Sequence, residues 1–163
     1  MINHPQEKYM KMAIEEAKTS VSSGQYAIAA VIVDENGEIL SVDHTTIHST
    51  NDATAHAEVN AIRSASAKLK NRYLLGCWLY TTLEPCPMCT GATIWAMVEG
   101  IVFGASKEDA QEFAKKLQSE VFTWRQIDIS SKDVIEKGEP KVKLVEKFMN
   151  DECKTLFNFA IKV

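Results

Sequence analysis

Tyr9, Ala13, Ile14, Ala17 and Val21 recur near a 3.6-residue period, which predicts an amphipathic helix over residues 7–21 that Gly24 ends. Ile28 to Val33 is a β-branched apolar run and reads as a buried strand. Asp34-Glu35-Asn36-Gly37 carries the Asn-Gly hairpin signal, and Glu38 to Asp43 returns as the partner strand. Residues 44–53 are polar and read as a loop. A second helix is expected from a Thr54 cap to about Lys68, and residues 77–82 form a third strand. Pro85 marks a break before a helix that starts near Cys86 and runs to about Val98, and Ile101-Val102-Phe103-Gly104 is a fourth strand. Residues 107–118 suggest another helix, and residues 119–130 carry no clear pattern. Residues 131–137 read as a short helix opened by Ser130 or Ser131. Val142 to Phe148 alternates as a fifth strand, and Asn150 or Asp151 caps a final helix reaching about Ala160. Interleaved strands and helices define an α/β class, with helices covering a mixed sheet.

A chain of 163 residues without repeats or linkers fits one domain, 1–163. Its 45% apolar and 25% charged content matches an ordinary globular protein. No apolar run reaches the roughly 18 residues of a membrane span. The start, Met1-Ile2-Asn3-His4-Pro5-Gln6-Glu7, is polar and lacks a signal-peptide apolar region, so a cytoplasmic location is expected and His4 is assigned to a disordered tail. Cys77 and Cys153 stand in apolar surroundings and read as buried free thiols, not as a disulfide. The net charge of −4 gives no electrostatic footprint for nucleic acid, and the clusters Lys68, Lys70, Arg72 and Lys141, Lys143, Lys147 read as solvated faces.

The chemistry concentrates in two segments, His56-Ala57-Glu58 and Pro85-Cys86-Pro87-Met88-Cys89. His56, Cys86 and Cys89 are ligand types that zinc accepts in tetrahedral geometry, and three protein ligands leave a fourth position for water. Zinc in such a site lowers the pKa of bound water from about 16 to roughly 7. Glu58 would then take the water proton and pass protons to a ring nitrogen and a leaving amine, so that ammonia departs and a carbonyl remains. The H-x-E…P-C-x-x-C pattern is the one zinc nucleobase deaminases carry. Both segments fall at predicted helix starts, where free N–H groups and the dipole favour thiolate over thiol. The N–H groups of Ala57 and Cys86 are candidate donors to a substrate. Cys86-x-x-Cys89 alone also fits a redox dithiol or half of a structural zinc knuckle. A redox site has no use for the His-x-Glu segment, and a structural zinc needs a fourth ligand that Cys77 and Cys153 are poorly placed to give. His44 and His48 flank the loop before the metal helix and read as surface residues, with substrate contact as the alternative.

Asn51-Asp52-Ala53-Thr54-Ala55-His56-Ala57-Glu58 resembles the metal helix of the cytidine deaminase superfamily. Tyr80-Thr81-Thr82-Leu83-Glu84-Pro85-Cys86-Pro87-Met88-Cys89-Thr90-Gly91-Ala92 resembles its second motif, and the likeness runs over about residues 7–105. Within the superfamily the chain is most similar to bacterial guanine deaminases, fungal-type cytosine deaminases and tRNA adenosine deaminases. The resemblance implies a three-layer α/β/α fold with a five-stranded mixed sheet, one zinc per subunit on His56, Cys86 and Cys89, Glu58 as proton carrier, and a homodimer. It implies hydrolytic deamination of a small nucleobase or nucleoside, a guanine-like base first, with a tRNA adenosine deaminase as the alternative. A catalytically inactive zinc-binding partner subunit is a third reading, but such subunits typically lose the glutamate and Glu58 is present.

The implied substrate contacts are Ala57, Thr45 and His44, with Ile28 and Trp95 as apolar walls and Phe157 or Phe159 brought near by the C-terminal segment. Trp95 stands where guanine deaminases also carry tryptophan, and Asn51-Asp52 is guanine-deaminase-like. Asp151-Glu152-Cys153 is similar to the tRNA enzymes. The chain departs from its relatives at Thr45, where they place a substrate-gripping asparagine, at Ala29, where they favour glycine, and at Ala27, where they favour proline. The acidic residue by which guanine deaminases read guanine has no secure match.

Overall fold

Asp34 closes the first hairpin. Its Oδ1 accepts from the N–H groups of Asn36 (2.9 Å) and Glu38 (2.7 Å), while Gly37 takes φ +88°, a left-handed value that costs glycine little. The hairpin joins β1 (Ala29–Val33) to β2 (Ile39–His44), and the sheet continues through β3 (Trp78–Leu83), β4 (Gly100–Ala105) and β5 (Lys143–Val145) in the order β2-β1-β3-β4-β5. β1 is antiparallel to β2 and β3, whereas β3–β4 and β4–β5 are parallel, so the sheet is mixed as expected. The structure is a computed structural model and describes residues 1–117 and 127–159.

Strand alternation sends successive side chains to opposite faces. Ala29, Val31 and Val33 of β1, with Trp78, Tyr80 and Val102, pack on α1 (Glu7–Ser22) and on the C-terminal α7 (Asn150–Lys154), which tightens into a 3-10 turn over Thr155–Phe159. Ala30, Ile32, Leu79 and Ile101 face the other way, onto α3 (Ala57–Leu69), α4 (Pro87–Trp95) and α6 (Ser131–Lys137). The α3 face that meets the sheet is built from Ala57, Ala61 and Ala65, whose small side chains let helix and sheet approach closely. Two further helices are α2 (Ile47–Thr50) and α5 (Lys107–Leu117). Among the described residues, no helix is long and apolar enough to cross a membrane.

Several boundaries differ from the sequence reading. The loop at residues 44–53 contains α2. The residue capping α3 is His56, not Thr54; the Thr54 N–H and hydroxyl both donate to Asp52 Oδ1 (2.8 and 2.7 Å), which spends Thr54 on the preceding turn. α4 ends at Trp95, because Met97 adopts φ +57° and its N–H and that of Val98 turn back to Ile94 and Thr93. β5 stops at Val145, ahead of Lys147 and Met149, which both take positive φ. Asn150 does not cap α7: its amide donates to Gly104 O (3.2 Å) and Asp109 Oδ2 (2.7 Å). Residues 118–126 and 160–163, where parts of the predicted helix ends fall, lie outside the described residues.

His4 is not in a loose tail. Its ring stacks on Trp78 with centroids 4.4 Å apart, and its Nδ1 is 2.7 Å from Tyr80 Oη, which also accepts from the Gln6 N–H. Cys77 and Cys153 are both buried free thiols, as the sequence suggested, and pack in the cores on opposite faces of the sheet.

Burial lowers the His4 pKa below its ordinary value, so the unfolded chain takes up a proton more readily than the folded one. The His4 contribution to stability is then full above the unfolded value of 6.5 and is lost as pH falls through the folded value. His4→Phe keeps an aromatic ring on Trp78 and removes the titration. Urea midpoints of this variant should fall less steeply between about pH 7 and pH 5 than those of the parent. Parallel slopes would refute the His4 contribution.

Candidate active site

Two helix starts bring the candidate ligands together. His56 is the residue before α3, in extended conformation (φ −69°, ψ 155°), and Cys86 holds the same place before α4 (φ −65°, ψ 169°). Neither side chain caps its own helix, so both are free to project toward each other. Pro87 opens α4 at the position where proline's missing N–H costs nothing, and Cys89 follows in the first turn. Thr90 Oγ1 donates to the carbonyls of Pro85 (3.2 Å) and Cys86 (3.0 Å), holding the turn against the helix it opens.

Cys86 Sγ and Cys89 Sγ are 3.6 Å apart, and His56 Nδ1 is 3.7 Å from the first and 3.5 Å from the second. A tetrahedral zinc with bonds of about 2.3 Å to sulfur and about 2.0 Å to nitrogen requires separations of about 3.8 Å between sulfurs and about 3.5 Å from sulfur to nitrogen. The three side chains therefore fit this ion, and among the described residues they are the only cluster of this kind. The Cys89 thiol, and then the His56 ring, draw the Cys86 thiol down to about 4. Cys86 in turn raises His56 and Cys89, with burial adding to the push on Cys89. Cys86 is thus a thiolate at neutral pH, the form that binds metal.

Glu58 is 4% exposed and lies in the first turn of α3. Thr81 Oγ1, on β3, donates to Glu58 Oε1 at 2.9 Å, and the nearby Glu58 carboxylate adds to the upward push on the Cys89 thiol. Burial raises the Glu58 pKa, which strengthens it as a base. A buried carboxylate beside two thiols and an imidazole is the arrangement of a proton carrier next to a Lewis-acid site.

The remaining candidates divide. Ala57 is buried at the start of α3, where the first N–H groups have no partner within the helix. Ile28 is partly buried against the α3-side core, and its carbonyl accepts from the Thr45 N–H at 3.1 Å. Thr45 is buried with its hydroxyl donating to Ala55 O (3.2 Å), and His44 Nδ1 is 2.6 Å from Glu16 Oε1, so these polar atoms are spent on the protein. His48 Nδ1 bonds Gly24 O at 2.9 Å, away from the ligand cluster. Trp95 is 83% exposed at the far end of α4, about 12 Å of helix from its start, and lines a surface groove with Ile129 and Val134. It does not join the ligand cluster within this chain. Phe159 is 43% exposed, and Phe157 packs on Phe113 with ring centroids 5.4 Å apart. Sequence reasoning missed the support given to Glu58 by Thr81, although the alternation of β3 places Thr81 on the same face as Leu79, toward α3.

A mixed five-stranded sheet between helices, with a His-Cys-Cys cluster at two helix starts, defines a zinc-site deaminase fold. Residues 3–105 match the family model of the cytidine and deoxycytidylate deaminase zinc-binding region, and the chain belongs to that family of zinc-dependent deaminases. It is 34% identical over 154 residues to a tRNA-specific adenosine deaminase of Buchnera aphidicola subsp. Schizaphis graminum, covering 93% of this chain and 91% of that protein. It is 38% identical over 111 residues to a guanine deaminase of Bacillus subtilis, covering 68% and 70%. A further tRNA-specific adenosine deaminase, from Aquifex aeolicus, is matched over 65% of its length, just under two thirds. In structure the chain is similar to a guanine deaminase from Nitrosomonas europaea with a TM-score of 0.81 at 21% identity, over 98% of this chain and 86% of that one, a likeness of fold.

Glu58→Gln keeps the shape and an acceptor for Thr81 but cannot carry a proton. Turnover should fall about 100- to 10,000-fold. Elemental analysis should find the same single zinc per chain in the variant and the parent. A variant with parental turnover would remove Glu58 from the proton path.

Proposed function

We propose that this chain hydrolytically deaminates a small free base or nucleoside, a guanine-like base foremost, as a homodimer in the cytoplasm. The observation that carries the choice of a small substrate is how the lysines are used. In the two clusters that would serve as phosphate contacts, Lys68 pairs with Glu38 (2.9 Å), Lys141 with Glu139 (3.2 Å) and Lys143 with Glu99 (2.6 Å). A cation already neutralised by a carboxylate releases little counterion on meeting a phosphate, and the chain as a whole carries −4. The resemblance to guanine deaminases supports the choice of base.

His56, Cys86 and Cys89 would hold the zinc. Bound there, zinc supplies the Lewis acidity that brings water toward hydroxide near neutral pH. Glu58 takes the proton of the attacking water, with the Thr81 hydroxyl donating to its Oε1 and fixing the carboxylate. The same carboxylate passes that proton to the ring nitrogen, then takes the second proton from the added hydroxyl and gives it to the exocyclic amine; the bond between ring carbon and amine breaks, ammonia leaves, and the ring keeps a carbonyl. The N–H groups of Ala57 and Cys86 orient the substrate's polar atoms, and Ile28 offers an apolar wall. Thr45 and His44 act on substrate choice through the loop they fix, because the Thr45 hydroxyl ties Ala55, the residue before His56. Trp95, at the far end of α4, would reach a substrate only across a subunit boundary.

A tRNA adenosine deaminase is the second reading, favoured by the 34% identity that extends over 93% of the chain. Ammonia release from guanine, isocytosine, cytosine, adenine and their nucleosides, set against inosine formation in a tRNA anticodon stem-loop at equal enzyme, separates the two. The expected result is turnover of a free aminated ring, guanine first, with the stem-loop inert. Efficient editing of the stem-loop with inert free bases would replace this reading by the second.

A further inference from the structure

We propose that Glu84 is a positioning residue for the metal site: its carboxylate ties the turn that presents Cys86 to the first residues of α5 and α6. The inference rests on the reading that Cys86 binds the zinc.

Glu84 lies between the end of β3 and Pro85, two residues before Cys86. Its backbone N–H donates to Ala105 O at 2.8 Å, which fixes the turn to the end of β4. Its side chain then reaches past β4. Oε2 accepts from the Lys107 N–H (2.9 Å), at the start of α5. Oε1 accepts from the Ser131 N–H (2.9 Å) and the Ser131 hydroxyl (3.1 Å), at the start of α6. One carboxylate thus satisfies the opening N–H groups of two helices far apart in sequence. Ser131 is itself buried, so its N–H has no water to turn to.

The tie reaches Cys86 through Pro85, whose ring fixes φ and leaves little slack between Glu84 and the ligand. Cys89 takes its position from α4, whereas Cys86, like His56, precedes its helix and depends on the turn that leads into it. Metal–ligand distances are held within about 0.2 Å in a working site, so a small shift of this turn is felt at the ion. A glutamine at this place has one acceptor oxygen and sets an NH₂ group against a backbone N–H, breaking one of the two ties.

The experiment follows zinc transfer from the purified holoenzyme to a colorimetric chelator, with circular dichroism and thermal unfolding on the same samples. Glu84→Gln should release zinc at least about 10-fold faster than the parent, in line with the 10- to 100-fold effects of residues that support metal ligands. Ser131→Pro removes both Ser131 donors at the first position of α6, where proline is favoured and where the preceding Ser130 (φ −74°, ψ 159°) has the conformation proline requires. It should accelerate release in the same direction, and it carries the test if Glu84→Gln does not fold. Ser130→Ala removes the capping box of α6 without touching Glu84, so it should lower the unfolding temperature and leave release unchanged. Parental release rates in both Glu84→Gln and Ser131→Pro would overturn the proposal, as would equal acceleration by Ser130→Ala. Cys86→Ser separates the two levels. If it sheds zinc while Glu84→Gln and Ser131→Pro both keep the parental rate, the positioning role alone fails. If it keeps zinc at the parental rate, the ligand reading fails and the proposal with it.

Discussion

The site depends on two helices beginning side by side, because His56 and Cys86 are the residues just before α3 and α4 and can meet only if those starts converge. The sheet enforces this. β3 delivers the chain to Glu84-Pro85-Cys86 at its C-terminal end, and Ala57, Ala61 and Ala65 let α3 settle on the same face. A bulky residue at any of the three alanines would push α3 off the sheet and carry His56 away from the thiols. The close packing of an ordinary-looking helix face therefore sets ligand separations of 3.5 to 3.7 Å at its end.

The same packing shapes the electrostatics. Glu58 enters the interior because it follows His56 into the first turn of α3, and Thr81 meets it from the sheet. Burial without a cationic partner would be costly for a carboxylate on its own. Here neutral donors, its own backbone N–H and the Thr81 hydroxyl, hold it, and burial still raises its proton affinity. A lysine or arginine in place of Thr81 would steady the carboxylate and disable it as a base.

Local pattern was enough for much of the framework. The 3.6 period of α1, the apolar run of β1, the Asn36-Gly37 turn and the interleaving that leads to a mixed sheet are properties of short segments. The candidate ligand cluster was legible for the same reason, since Pro85 and the polar run before His56 mark the breaks that place these residues at helix starts. What the sequence hid is long-range. His4 finds Trp78 and Tyr80 across more than 70 residues, and no periodicity in Met1 to Glu7 announces it. Trp95 was read as a pocket wall from its likeness to guanine deaminases; within this chain α4 carries it to the end away from Cys86 and into solvent. The cap at α3 was misplaced by two residues because Thr54 has the better capping side chain, yet Asp52 claims it first.

Burial of the two remaining cysteines has a consequence for the protein's chemistry toward oxidants and electrophiles. Burial pushes Cys77 up to about 11 and Cys153 up to about 12, so both stay protonated and unreactive in the folded chain. Cys86 is the one thiol drawn the other way. An alkylating agent meeting the native protein without a metal would reach Cys86, the half-buried thiol, ahead of the three buried ones. An ion seated between His56, Cys86 and Cys89 would cover that thiol, so filling the site would also protect the cysteine that burial leaves most accessible.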